Sequence, residues 1–186
     1  MDYLKVENLM DETILIIGSD HGQKWDSLKR VPLIIRFPAG QYAGRIQVNV
    51  QNLDIAPTLM DYLGLPPASW MRGTSLITGD LEQRPIISTS IINEETDPNK
   101  PIVVDWTKAV APFYQFGDIA VIYCQQWFEL DLLTLRWERG MVEGSTSVCP
   151  SDREVTDQQV FQWMVEHLRE NGFDISTLDQ KTPWTN

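Results

Sequence analysis

Cysteine is scarce in this 186-residue chain, with only Cys124 and Cys149. Two are too few for a disulfide scaffold and have no zinc-ligand spacing, so a single disulfide is all that stays open. Long apolar runs are missing too. The longest, Ile14 to Ile17 and Val31 to Ile35, fall far short of the roughly 20 residues a membrane-spanning helix needs. Positive charge is short: 15 Lys+Arg stand against 26 Asp+Glu, a net charge of −11. That argues against nucleic acid or an anionic membrane as the main partner. The amino terminus, MDYLKVENLMDE, lacks the basic start and apolar stretch of a secretory signal, so either the chain is cytoplasmic or its true beginning is missing.

What is present is ordinary globular chemistry: 42% apolar and 22% charged residues, in a length that suits one domain or one large domain with a small appendage. The charge is uneven. Residues 1–80 carry 7 basic and 9 acidic groups, and residues 81–186 carry 8 and 17, so an anionic substrate is better received by the first part.

Tyr3 to Met10 reads as a short helix, followed by Thr13 to Ser19, whose β-branched residues suggest a strand buried on both faces as in a parallel sheet. A polar loop, Asp20 to Arg30, leads to a second apolar run, Pro32 to Phe37. Arg45 to Val50 alternates apolar and polar, which predicts a half-exposed strand. Asp54 is placed to cap a helix over 55–63, with Pro57 in its first turn and Gly64 as the stop. Leu76 to Gln83 reads as a loop and Pro85 to Thr89 as a strand, while Glu94 to Pro101 is polar and turn-rich, the best candidate for a boundary.

Beyond that boundary, Ile102 to Trp106, Ile119 to Cys124 and Trp127 to Leu132 suggest an antiparallel sheet. Thr156 with Gln159 forms a capping-box pattern, and Val160, Phe161, Met164, Val165 and Leu168 line one face of a helix ending near Gly172. His167 reads as an exposed side chain of that helix. Trp106, Trp127 and Trp137 could stack on sugars, although aromatic residues on strands more often fill a core.

The strongest chemical signal is Ser19-Asp20-His21-Gly22, directly after the first buried strand. Ligands collect beyond the carboxyl ends of strands in open α/β sheets, and a carboxylate beside an imidazole there can both ligate a divalent metal. The plainer alternative is that Asp20 caps a turn and His21 lies on the surface.

The context of that segment resembles the sulfatase family of the alkaline phosphatase superfamily. Asp11-Glu-Thr-Ile-Leu-Ile-Ile-Gly-Ser-Asp-His-Gly22 is similar to the strand entering the family's metal motif, and Val31-Pro-Leu-Ile-Ile-Arg36 to the strand after it. Val50-Gln-Asn-Leu-Asp-Ile-Ala-Pro-Thr-Leu-Met-Asp-Tyr-Leu-Gly-Leu65 resembles the family's Asp-x-x-Pro-Thr helix, followed by Gly73-Thr-Ser-Leu76. Trp127-Phe-Glu-Leu-Asp131 resembles, more weakly, a strand of the small carboxy-terminal subdomain.

The resemblance implies an α/β fold: part of a large mixed sheet sandwiched by helices (residues 1–93), then a small antiparallel sheet with a terminal helix (94–186). It implies metal-dependent sulfuric ester hydrolysis, with Asp20 and His21 as metal ligands and Ca2+ as the cation, the imidazole also allowing zinc or manganese. Lys24 or Lys29 would meet the sulfate of a small-molecule or glycan ester, though each also reads as a solvated loop lysine. The parent protein would be periplasmic, secreted or lysosome-like.

The chain also departs from the family's pattern. No Asp-Asp pair and no Cys/Ser-x-Pro-x-Arg nucleophile motif occurs, and only 19 residues precede Asp20. Cys149-Pro-Ser-Asp-Arg153 has its proline misplaced and reads as a loop. No catalytic nucleophile is therefore assigned. The expectation is a piece inactive alone, whose amino-terminal segment is absent. The alternatives are a non-catalytic remnant binding a ligand or partner, and a phosphoryl hydrolase or transferase of the same superfamily.

Overall fold

The computed structural model describes residues 2–22, 28–79, 81–92, 103, 105–149 and 154–178. Helix α1 (Asp2–Val6) precedes strands β1 (Leu15–Gly18) and β2 (Leu33–Arg36). Helix α2 (Ile55–Tyr62) follows, then strands β3 (Ile86–Ile91), β4 (Phe116–Tyr123), β5 (Gln126–Asp131) and β6 (Trp137–Met141), and helix α3 (Asp157–Glu170). The α/β class stands, with a four-stranded antiparallel sheet in the order β3-β4-β5-β6 and a terminal helix.

The hydrophobic core lies between that sheet and α3. Strand alternation sends Ile119 and Val121 of β4, and opposite them Leu130 and Phe128 of β5, to one face. Val160, Phe161, Met164, Val165 and Leu168, spaced by the helical period, meet them from α3. The Thr156 hydroxyl accepts from the Gln159 amide at 3.2 Å and starts the helix. Gly172, at φ 83°, ends it while Gly172 N–H and Phe173 N–H bond Arg169 and Leu168 carbonyls. His167 is half-buried rather than exposed, and burial pushes its pKa down.

Several expectations are corrected. β1 pairs with β2 and does so antiparallel, Ile17 opposite Ile34. Those two side chains are 50% and 59% exposed, so the strand is not buried on both faces. Its apolar run carries no information about how many neighbours the sheet supplies. Arg45 to Val50 forms no strand. Its polar groups instead meet residues 143–149: Val148 N–H bonds Gln47 O at 2.8 Å, Ser147 Oγ donates to Asn49 Oδ1, and Arg45 donates to Thr146 Oγ1 at 2.9 Å. Alternation along a segment satisfied by side chains can mimic a strand. Ile102 and Val104 lie outside the described residues, and Asp105 and Trp106 begin a turn rather than continue a strand.

The 93/94 boundary also lies outside the described residues; the sheet takes β3 from before it and β4 to β6 from after it. Cys124, in the tight turn between β4 and β5, forms a disulfide with Cys149 across 25 residues. Trp137 packs against Phe128 and Phe161 in the core, Trp127 lies over Gly140, and Trp106 is exposed. No helix among the described residues is long and apolar enough to cross a membrane.

Candidate metal-ligating loop

Asp20 and His21 leave β1 at its carboxyl end, as a site in an α/β sheet requires. Four consecutive carbonyls hold the turn. Asn52 Nδ2 donates to Ser19 O at 3.0 Å and to Asp20 O at 3.1 Å. Ser19 Oγ donates to His21 O at 2.7 Å, and His21 Nδ1 lies 2.7 Å from Gly22 O. The His21 amide donates to Asp20 Oδ1 at 3.1 Å. Together these contacts bring the two side chains to one side of the loop, with His21 Nε2 3.5 Å from Asp20 Oδ2.

A carbonyl only accepts, so the contact with Gly22 O puts a proton on Nδ1, and in the neutral ring that leaves the lone pair on Nε2. That is the tautomer a metal-ligating histidine adopts when its other nitrogen donates to a backbone carbonyl. An anionic oxygen and a nitrogen lone pair at this separation can share one cation. Asp20 is 83% exposed and His21 34%, so an ion would reach them from solvent. The donor set thus fits a divalent cation. Among the described residues no three His, Cys, Asp or Glu side chains gather as a metal site, so the two stand as a pair.

Lys29 Nζ pairs with Glu143 at 3.6 Å on the surface, and Lys24 lies outside the described residues. Cys149 is spent in the disulfide, so its sulfur is not a free thiol.

The element that carries Asn52 is fixed by a buried carboxylate. Asp54 is fully buried, and it does not cap α2 with its side chain as the sequence suggests. Its oxygens accept from Gln51 N–H at 2.9 Å, Thr74 N–H at 2.9 Å and the Arg84 guanidinium. Thr58 Oγ1 donates to Asp54 O and accepts from Leu76 N–H at 2.9 Å, while Ser75 Oγ donates to Asp61 at 2.6 Å. The Asp-x-x-Pro-Thr and Gly-Thr-Ser-Leu segments are therefore two halves of one lock. Gly73 belongs there because a Cβ would come 2.0 Å from Leu53 O. Neither Asn52, although it stands in the segment that holds Asp-x-x-Pro-Thr, nor Arg84 is marked by the sequence as a functional residue. Arg84 carries a signal, an arginine beside the third strand, whereas Asn52 carries none, because its partners lie more than thirty residues away.

Residues 20–85 match the family described as N-sulphoglucosamine sulphohydrolase, C-terminal. The chain is 30% identical over 127 residues to an N-acetylglucosamine-6-O-sulfatase of Bacteroides thetaiotaomicron, a match covering 61% of this chain and 20% of that protein. Among solved structures, the phosphonate monoester hydrolase SpPMH from Silicibacter pomeroyi has a similar fold, with a TM-score of 0.63 at 19% identity. That likeness covers 94% of this chain and 38% of the other. The chain thus spans about a fifth of the length of the curated relative.

Proposed function

Because this chain resembles the carboxy-terminal portion of a sulfatase, we propose that it supplies Asp20 and His21 to the divalent-cation site of a sulfuric ester hydrolase. The observation that carries the reading is the pair itself: His21 Nε2 3.5 Å from Asp20 Oδ2, with Nδ1 turned to Gly22 O, at the carboxyl end of β1. The carboxylate favours a hard cation, calcium first, and the imidazole admits zinc or manganese. A bound cation would neutralise the ester oxygens. The chain's own part is to hold two ligands in one direction and to keep the imidazole proton on Nδ1.

Lys29, by exchanging Glu143 for the ester's anion, or Lys24, would meet the sulfate. The substrate class is a sulfate ester of a small molecule or glycan, in keeping with the name of the curated relative, N-acetylglucosamine-6-O-sulfatase. No nucleophile is assigned to this chain, since it carries no Cys/Ser-x-Pro-x-Arg and Cys149 is oxidised. The disulfide supports an oxidising compartment, periplasmic, secreted or lysosome-like.

Calorimetric titration of the purified chain with calcium tests the reading. Calcium wants roughly 6–8 oxygen ligands, so two residues should bind it weakly, in the order of 10⁻⁴–10⁻³ M, and Asp20→Ala should abolish binding. A wild-type chain that takes no calcium, zinc or manganese, or an Asp20→Ala chain that binds as well as wild type, removes the metal reading and favours a non-catalytic partner-binding role.

A further inference from the structure

The two ligands of the proposed site sit on a loop at the protein surface. Asp20 is bonded to its neighbour's amide and His21 to the next carbonyl, both contacts local enough to form in many loop conformations. Asn52 adds a contact from far along the chain. A single side-chain amide, Asn52 Nδ2, spends its two hydrogens on two successive carbonyls, Ser19 O and Asp20 O, across 33 and 32 residues of sequence.

Two carbonyls bound to one amide must point the same way, which fixes the peptide between Ser19 and Asp20 and with it the direction of the Asp20 side chain. Asn52 is itself immobilised. It opens a 3-10 turn, Asn52–Asp54, whose last residue is the buried Asp54 held by Gln51, Thr74 and Arg84.

We infer that Asn52 is a positioning residue of this site: it transmits the rigidity of the Asp54 lock to the Asp20-His21 loop and helps set the geometry in which both side chains face one cation. The inference rests on the cation-site reading above. It assigns the segment 50–65 a role in the site, although none of its side chains ligates.

Asn52→Leu tests it, since it removes the amide while keeping the side chain's shape; Asn52→Ala repeats the test with a smaller group. Three quantities are read on the full chain: calcium affinity by calorimetry, the tautomer of the His21 ring by nitrogen NMR, and amide exchange at His21 and Gly22. Supporting partners of metal ligands typically contribute 10–100-fold in affinity, so a loss of about tenfold is expected. In the metal-free chain the ring should lose its preference for the Nδ1–H form and the two amides should exchange faster, while the amides of α3 keep their protection.

Wild-type tautomer and exchange rates in Asn52→Leu would overturn the inference, as would undiminished calcium affinity. A wild-type chain that takes no calcium overturns the functional reading alone, because the ring and amide measurements need no metal and judge Asn52 by themselves.

Discussion

At the scale of single residues, a carboxylate withdrawn from water needs donors on every side, and Asp54 has them in two amides and a guanidinium. Removing one partner of such a group costs more than the pair contributes, because the other is left buried and charged. Arg84 is itself partly exposed, which tempers the loss. Arg84→Met is expected to lower stability by about 2–3 kcal/mol, read from the urea midpoint. Asp54→Asn combined with Arg84→Met should lose less than the two single losses added, since the stranded charge is gone. A change within about 0.5 kcal/mol, the level of an ordinary surface substitution, would show that the amides alone satisfy Asp54.

At the scale of elements, the face of the four-stranded sheet opposite α3 is acidic. Asp118 stands directly across from Asp131, and Glu129 across from Glu138. Asp131 is employed in the β5–β6 turn, accepting from Leu133 N–H at 2.8 Å and Thr134 N–H at 2.7 Å. Asp118 accepts from Ser90 Oγ at 2.7 Å, yet desolvation, joined by the Asp131 charge, raises its pKa above 3.8.

The sign follows from proton counts. Between 3.8 and the raised value the folded chain binds more protons than the unfolded one, so this group makes stability fall as pH rises through that window and leaves a penalty at neutral pH. Asp118→Asn should therefore stabilise the chain at pH 7 by about 0.5 kcal/mol, the range of an unfavourable cross-strand pair softened by solvent screening. Thermal melts at pH 3 and pH 7 check it. A variant less stable than wild type at pH 7 would mean that the Ser90 contact outweighs the repulsion.

The same sheet shows what the sequence could convey. α3 was legible because five apolar residues repeat at the helical period behind a Thr cap, and β4 and β5 because apolar runs of the right length end at turn residues. β6, Trp137-Glu-Arg-Gly-Met141, was not, for an edge strand with two charges and a glycine has no apolar run to announce it. Asp20 and His21 could be found because they follow a strand directly. Asn52 could not, because a hydrogen bond spanning more than thirty residues leaves no local pattern.

At the scale of the whole molecule, apolar burial is lopsided. Of the buried apolar side chains among the described residues, all but Phe37, Pro57 and Ile92 lie between Phe113 and Leu178. The part that carries Asp20 and His21 has one aromatic cluster, Phe37, Tyr42 and Tyr62, and beside it polar locks: Asp54 with Arg84, Arg36 with Asp11 at 3.1 Å, and the contacts of residues 45–49 with the strap that Cys149 ties down. Hydrogen bonds contribute only about 1 kcal/mol net each, whereas a buried aliphatic side chain contributes roughly 1.5–3 kcal/mol, so the two parts should open at different free energies.

Hydrogen exchange should find the amides of β4, β5 and α3 protected to the global limit and those of β1 and β2 exchanging by local opening. The exposed Ile17–Ile34 pair on the small sheet should make the native chain bind a hydrophobic dye. Reduction of the disulfide should speed exchange in residues 45–49 while leaving α3 unchanged, since the strap and not the core is what it restrains. Equal protection across both sheets, with no dye bound, would mean that the polar locks stabilise the site-bearing part as strongly as the hydrophobic core stabilises the other.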